Sequence, residues 1–312
     1  MNFHVALPRV ARASFPPGWG TTGRFVVIPA RNEAERIKAC LAALHDQETD
    51  VLVVANNCTD ATGTLAAGCG AAVIDCIVPS GGVGAARRLG VAEGLRRAKN
   101  VRAILTSDAD CIVAPGWVDR NLRYINDGAA AVCGLVQPIA EEHAALPAPL
   151  LRRAALEDRF LDLKSKLEHH LTGFASHEQT PGASLAFAPG AYAAAGGFDP
   201  MPTHEDRAII LRLKLLGLPV VHAREVTVYA SCRLEGRAPG GMAAALRDRA
   251  ADPDAPLCPD MGCSDTPAMK EALATIGPLR TQADLPLAIK RIEQLMRTQL
   301  VKGNDSSGGR AL

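Results

Sequence analysis

No sign of charge dominates this chain. Lysine and arginine total 34 and aspartate and glutamate 33, leaving +1 at pH 7. So even a balance gives no global attraction to nucleic acid or to an anionic membrane, and any phosphate binding has to come from local features. No apolar run reaches about 18 residues, so no transmembrane segment is expected and only peripheral contact with a membrane is left open. The N-terminus lacks a basic start followed by an apolar core, so no secretory signal is expected. The 9 cysteines are odd in number and irregularly spaced, which fits reduced thiols and a cytoplasmic location rather than a disulfide framework. Cys258 and Cys263 are the closest pair, but no second Cys/His pair follows, so ordinary loop thiols are expected there rather than a zinc site. There is no internal repeat and no Walker A motif.

What is present is a soluble-type composition, 48% hydrophobic and 21% charged over 312 residues. Short apolar runs at 25–28, 51–54, 71–74 and 103–106 read as buried strands. Between them, helical spacing appears over 33–45, 59–69 and 84–99, the last with Leu89, Ala92 and Leu95 on one face. Strands alternating with helices imply parallel β-α-β units and a sheet covered on both sides. Later strands are expected at 130–136, 183–188, 219–222 and 225–230, with helices at 117–125, 150–171, 190–195 and 205–216. In the long helix, Leu156, Phe160, Leu163 and Leu167 form a stripe that reads as core sooner than lipid contact. The expected organisation is an irregular leader (1–21), one α/β domain (22–237), a helical C-terminal extension (238–302) and a disordered tail (303–312).

Five clusters carry candidate chemistry. Asp108-Ala109-Asp110 follows a buried strand, where ligands of open α/β sheets bind, and two carboxylates there suit a hard divalent cation; a turn or helix cap is the competing reading. Asn56 and Asn57, in Val54-Ala55-Asn56-Asn57-Cys58-Thr59-Asp60, could read a nucleobase edge or simply form a turn. Gly81-Gly82-Val83-Gly84-Ala85-Ala86-Arg87-Arg88 offers backbone N–H groups and guanidinium at a helix start, an expected anion site, but it is not a dinucleotide fingerprint. His204-Glu205-Asp206-Arg207 opens a helix, where its acids are either capping residues or include a general base. Arg233 and Arg237 lie in a Gly-containing loop that could clamp a diphosphate or be solvated surface.

Taken in order, these clusters resemble family 2 glycosyltransferases. Val26-Val27-Ile28-Pro29-Ala30-Arg31-Asn32-Glu33 looks like that family's opening strand and loop. Val53 to Thr62 is similar to its V-V-D-D-G-S-T-D-G-T pattern, and Gly82 to Gly90 to its G-x-G-A-A-R-N-x-G segment. Asp108-Ala109-Asp110 sits where its DxD motif falls. Gly196-Gly197-Phe198-Asp199 followed by Glu205-Asp206 resembles its G-G-F-D and E-D motifs. The resemblance implies a GT-A (Rossmann-like) fold with a mixed, mostly parallel sheet. It implies a nucleotide-sugar donor and a Mn2+ or Mg2+ cofactor, with Asp110 as metal ligand and Asp108 near the metal or ribose. Arg87 would contact the donor, and Asp206 would deprotonate an acceptor hydroxyl, with inversion at the anomeric carbon. Pro29, Ala30, Asn32, Glu33, Asn56, Glu205, Arg233 and Arg237 complete the expected substrate-binding set.

Two departures qualify the resemblance. The paired aspartates after the second strand are Ala55 and Asn56 here. An amide can both donate and accept, which favours a uridine nucleotide over guanine with its two adjacent donors. The Q-x-x-R-W motif of processive members is absent, which argues against a polymerising synthase. A sugar nucleotidyltransferase ranks second, because its Gly-rich loop after the first strand is missing. A non-catalytic nucleotide-sugar binder ranks third. The acceptor is not identified.

Overall fold

The computed structural model describes residues 7–172, 177, 179–236, 241–252, 254–258, 261, 264 and 266–307. Nine strands form one sheet: β1 (Arg9–Ser14), β2 (Arg24–Ala30), β3 (Asp50–Asn56), β4 (Ala72–Ile77), β5 (Ala103–Thr106), β6 (Cys111–Val113), β7 (Ala131–Pro138), β8 (Leu185–Phe187) and β9 (Val220–Ala230). Their spatial order is β1-β4-β3-β2-β5-β8-β7-β9-β6. The block β4-β3-β2-β5 is parallel, as is β7 with β9, while β1, β6 and β8 pair antiparallel. The α/β architecture with a mixed sheet covered on both sides is therefore the one expected.

The two faces are read directly from the period-2 alternation of the strands. Val26, Ile28 and Ala30 of β2 face one core, shared with α1 (Ile37–Ala42), α2 (Thr62–Gly68) and α4 (Trp117–Asn126). Phe25 and Val27 face the other, shared with α3 (Gly82–Arg97), α7 (Pro189–Ala194) and α8 (Glu205–Leu215). Phe25, Val26, Val27 and Ile28 are all fully buried, each contributing about 1.5–3 kcal/mol of burial.

The structure differs from the sequence reading in several places. The leader contains strand β1, whose residues are all exposed; with no buried face it has no hydrophobic period, and backbone pairing with the edge of β4 and the Arg12–Asp75 ion pair at 2.9 Å hold it. Pro29 does not end β2. The pairing of β2 with β5 stops at Val27, so the missing N–H of Pro29 is not needed on that side. Helix α3 does not bury Leu89, Ala92 and Leu95; Leu95 is exposed, and the buried residues are Gly84, Ala85, Ala86, Arg87, Gly90, Val91 and Gly94. A Cβ on Gly90 would strike Val27 and Val54, and one on Gly94 would strike Phe25. The helix therefore lies too close to the sheet for leucines, which a hydrophobicity pattern does not register. The two strand candidates at 219–230 are one strand with a bulge opposite Gly134 and Leu135.

The chain divides into two compact units: Met1–Glu142 with Gln179–Ala244, and His143–Glu178 with Ala245–Leu312. The sheet lies in the first. The second holds α6 (Ala148–Thr172), α10 (Pro267–Ile276) and α11 (Leu285–Ser307). The boundary expected at 237/238 thus misses that α6 belongs with the C-terminal helices. Phe160, Leu163 and Leu167 of α6 pack on Leu273, Leu285 and Ile292, so the apolar stripe is core, as expected. Buried Arg153 holds the carbonyls of Ala255 and Pro256 at 2.9 and 3.0 Å. Residues 303–307 of the expected tail continue α11, and 308–312 lie outside the described residues. Cys258 is half-buried; Cys263, its partner in the zinc reading, lies outside the described residues.

Candidate active site

The loops after β2 and β3 build one another. Asn32 adopts a left-handed φ of 55°, tolerated by Asn, and its Oδ1 accepts the Thr59 N–H at 2.8 Å. The Glu33 N–H donates to Thr62 Oγ1 at 2.8 Å. Asp60 accepts N–H groups of Thr62 at 3.0 Å and Ala34 at 3.1 Å. Desolvation raises the Asp60 pKa, but the Thr62 hydroxyl and these N–H groups outweigh it and hold the carboxyl below its usual range. Asn57 is likewise left-handed, with φ 53°. It clamps both the N–H and C=O of Val78, at 2.7 and 3.0 Å, so it is a turn former rather than a base reader. Asn56 is different: it is buried at the end of β3, and its Oδ1 has no hydrogen-bond partner among the described residues. Pro29 and Ala30 are buried within β2, so their side chains hold the strand and the outward-facing surface begins at the following loop.

Two arginines gather the acids at the sheet's carboxyl ends. Arg87, only 3% exposed, lies between Asp108 and Glu205 and forms ion pairs with both. Its charge is fixed: burial lowers its pKa, but Asp108, Glu205 and Asp206 outweigh that and raise it. Arg233 engages Glu33 through both terminal guanidinium nitrogens, Nη1 and Nη2, and reaches Asp110 at 2.9 Å. Asp110 is pushed up to about 6, first by burial and then by Asp108, with Arg233 opposing. Arg237, its expected companion, lies outside the described residues.

Two expected donor contacts change. The glycine turn before α3 is not an open anion site: the Gly84 N–H donates to Met201 O at 3.0 Å. A Cβ on Gly81 or Gly82 would run into Pro200 or Pro202, so the glycines admit the 199–202 segment. Arg88 binds the carbonyls of Gly196 and Phe198 at 2.9 and 2.8 Å. Glu205 is 2% exposed and paired to Arg87, which leaves its carboxylate holding that guanidinium instead of facing a ligand.

Asp206 sits in the first turn of α8, after His204 in a left-handed conformation with φ 66°. Unlike Glu205 it is only partly buried. Its Oδ2 accepts the Gly182 N–H at 2.8 Å and its Oδ1 the Arg207 N–H at 2.7 Å. Gly182 was not singled out in sequence; a Pro181-Gly182 turn signal is all that marks it. Its carbonyl accepts Thr106 Oγ1 at 2.7 Å, and a Cβ there would collide with the Arg87 guanidinium. Glu142 was also missed, lying unmarked in a polar stretch. It accepts Ser231 Oγ at 2.7 Å, the Cys232 N–H at 2.8 Å and Arg36 at 2.6 Å, fixing the loop that carries Arg233. Glu35, Arg36, Arg233, Leu234 and Glu235 line a cleft of about 310 Å³.

Comparison with known proteins agrees with the family resemblance of the sequence. Residues 25–186 match the family described as Glycosyl transferase family 2. Uncharacterised glycosyltransferases of Mycobacterium tuberculosis (strain H37Rv) and Mycobacterium bovis are 36% identical over 118 residues, which is 38% of this chain and 50% of each relative. The chain thus spans about half the length of the curated relatives it matches. Among solved structures, glucosyl-3-phosphoglycerate synthase from M. tuberculosis, in complex with Mn2+, UDP and phosphoglyceric acid, is 19% identical with a TM-score of 0.45, covering 78% of this chain and 87% of that one. A mannosyltransferase from Pyrobaculum calidifontis, in complex with GDP-Man and Mn2+, is 15% identical with a TM-score of 0.47, covering 86% of both. With the family match extending over more than half of its length, the chain belongs to glycosyl transferase family 2.

Proposed function

We propose that this chain transfers a sugar from a nucleoside-diphosphate sugar to an acceptor hydroxyl, with inversion at the anomeric carbon, assisted by Mn2+ or Mg2+. The observation that carries this reading is the convergence of Glu33, Asn56, Asp108, Asp110 and Asp206 around the carboxyl ends of β2, β3 and β5 and the start of α8, with Arg87 and Arg233 between the acids.

The donor set fits a hard divalent cation. Asp108 and Asp110 are oxygen donors whose mutual repulsion helps to raise Asp110 to about 6, and a cation relieves that repulsion. Among the described residues no group of three or more His, Cys, Asp and Glu is arranged to hold a metal. Donor phosphates and water would therefore complete the coordination, the usual arrangement for Mg2+. The bound cation would supply charge neutralisation on the nucleoside-diphosphate leaving group.

The chain's own residues do the rest. Asp108 and Asp110 hold the cation, and Arg87 with Glu205 keeps Asp108 in place. Asp206, steered by the Gly182 N–H, takes the proton of the attacking hydroxyl. Asn56 offers its unpaired Oδ1 and its amide to a base edge, which favours uridine. The odd number and irregular spacing of the cysteines favour a cytoplasmic setting. The test is binding of UDP-, GDP- and dTDP-sugars with and without Mn2+, followed by release of nucleoside diphosphate. Binding of a UDP-sugar only with the cation, and release of UDP, supports the reading; no binding of any nucleotide sugar removes it.

A further inference from the structure

Asp206 is an aspartate at a helix start, and its carboxylate turns about a soft terminal torsion. A general base has to present one oxygen to the proton it takes, within about 2.6–3.2 Å. The backbone of α8 supplies one restraint, the Arg207 N–H donating to Oδ1 at 2.7 Å. The other comes from outside the helix, the Gly182 N–H donating to Oδ2 at 2.8 Å. With a donor on each oxygen the plane of the carboxylate is set, and its direction follows from where Gly182 lies.

Gly182 holds that place poorly by itself. A Cβ there would meet the Arg87 guanidinium, so the position calls for glycine, the residue with the loosest backbone. Its N–H and its C=O belong to different peptide planes, joined through that Cα. The turn Gly182–Ser184 is a short 3-10 piece, closed by the Ser184 N–H on the Pro181 carbonyl at 2.9 Å. Side chains brought by β5 and α4 brace it. The Thr106 hydroxyl donates to the Gly182 carbonyl at 2.7 Å, and Trp117 Nε1 donates to Ser184 Oγ at 3.0 Å.

We propose that Thr106 is a positioning residue for Asp206, acting through the Gly182 backbone. Thr106 is wholly buried, so it does not touch substrate itself. Packing alone does not call for threonine at this strand end: valine has the same shape and suits a strand as well. The hydroxyl is what distinguishes the two, and its bond is to the residue that holds Asp206. Thr106 is also the last residue of β5, which runs directly into Ser107 and Asp108. One strand end therefore carries Asp108 and Asp110 into the site and, through one hydroxyl and one glycine, sets the carboxylate on α8. The inference rests on the proposed transfer reaction, in which Asp206 is the base.

The experiment compares Thr106→Val and Thr106→Ser with wild type. UDP-, GDP- and dTDP-glucose are hydrolysed with Mn2+, and the fastest donor is carried forward. Thr106→Val is expected to lower kcat by about tenfold, the cost of a slightly misplaced base, with donor affinity unchanged. Thr106→Ser keeps the hydroxyl and restores kcat. In an Asp206→Asn background Thr106→Val has no further effect, because the two act as a unit. In protein labelled with 15N-glycine, the Gly182 amide exchanges its hydrogen about fivefold faster or more in Thr106→Val, at a urea midpoint that shows the variant folded. Wild-type kcat in Thr106→Val overturns the proposal. So does an equal fall in kcat with and without Asp206, or a loss carried by donor affinity. If the wild type releases no nucleoside diphosphate, the reaction reading fails, and the Gly182 amide then decides alone: exchange unchanged by Thr106→Val removes the link from Thr106 to the Asp206 carboxylate.

Discussion

Replacing Glu205 by Gln separates the two adjacent acids of α8. Glu205 is 2% exposed and its partner Arg87 is 3% exposed. Removing one member of a buried ion pair typically costs about 3–5 kcal/mol, because the other charge stays buried. Here Asp108 still faces Arg87, and the Gln carbonyl still accepts one hydrogen bond, so the expected loss is about 2–3 kcal/mol. Asp206→Asn is a different perturbation. Asp206 is partly exposed and accepts two backbone N–H groups; Asn keeps one acceptor, and about 1 kcal/mol is expected. Activity should rank the other way. Asp206→Asn should retain donor binding and lose turnover by roughly 100-fold or more, as expected for loss of a general base. Glu205→Gln should keep a larger share of kcat while raising the donor KM through a loosened Asp108. Urea unfolding midpoints and steady-state kinetics on both variants are the assay. A Glu205→Gln protein as stable as wild type but without turnover would refute the assignment and make Glu205 the base.

Asp110→Asn should abolish cation-dependent nucleotide binding without unfolding the chain; in wild type, full activity in excess chelator would contradict the metal role. The pH sign follows from Asp110 at about 6, above its ordinary 3.8. The folded chain retains a proton there that the unfolded chain has released, so the cation-free protein is favoured by acid and loses that advantage as pH rises through about 6. Cation binding displaces the proton, so Mn2+ affinity by calorimetry with UDP present should drop roughly tenfold from pH 7 to pH 5; a flat profile would count against it. In nucleotide competition, UDP should bind wild type more tightly than GDP, and Asn56→Asp should narrow the gap; tighter GDP binding by wild type removes the role given to Asn56. Gly94→Ala should lower the unfolding free energy measured in urea by about 1–3 kcal/mol through collision with Phe25, whereas the roughly 1 kcal/mol gain of an exposed helical glycine site would mean α3 can lift from the sheet.

The buried parallel strands were readable because Val26-Val27-Ile28 and Val51-Leu52-Val53-Val54 are apolar on both faces, and that pattern has one physical meaning in an α/β chain. Asp108 and Asp110 were readable because they fall directly after the next buried strand, β5. Other features left no such trace. β1 buries nothing, and α3 packs through glycines, so hydrophobicity is silent on one and misleading on the other. The helix-start anion site was inferred from the glycines and arginines of Gly81–Arg88, and the segment that covers it, Asp199–Pro202, lies over a hundred residues away in sequence. Glu205 and Asp206 look equivalent as neighbours, and only the turn of α8 buries one and leaves the other partly exposed. Gly182 acts through its backbone N–H and C=O, which every residue except proline carries.

The central claim is an inverting transfer with Asp206 as base, and it can be tested before the acceptor is known. Water can stand in for the acceptor hydroxyl, and proton NMR of donor hydrolysis reports the anomer formed first, before mutarotation. With an α-linked UDP-sugar and Mn2+, the account predicts that the β anomer appears first, and that Asp206→Asn slows its formation by roughly 100-fold while leaving donor affinity unchanged. First appearance of the α anomer would contradict the mechanism and the role assigned to Asp206.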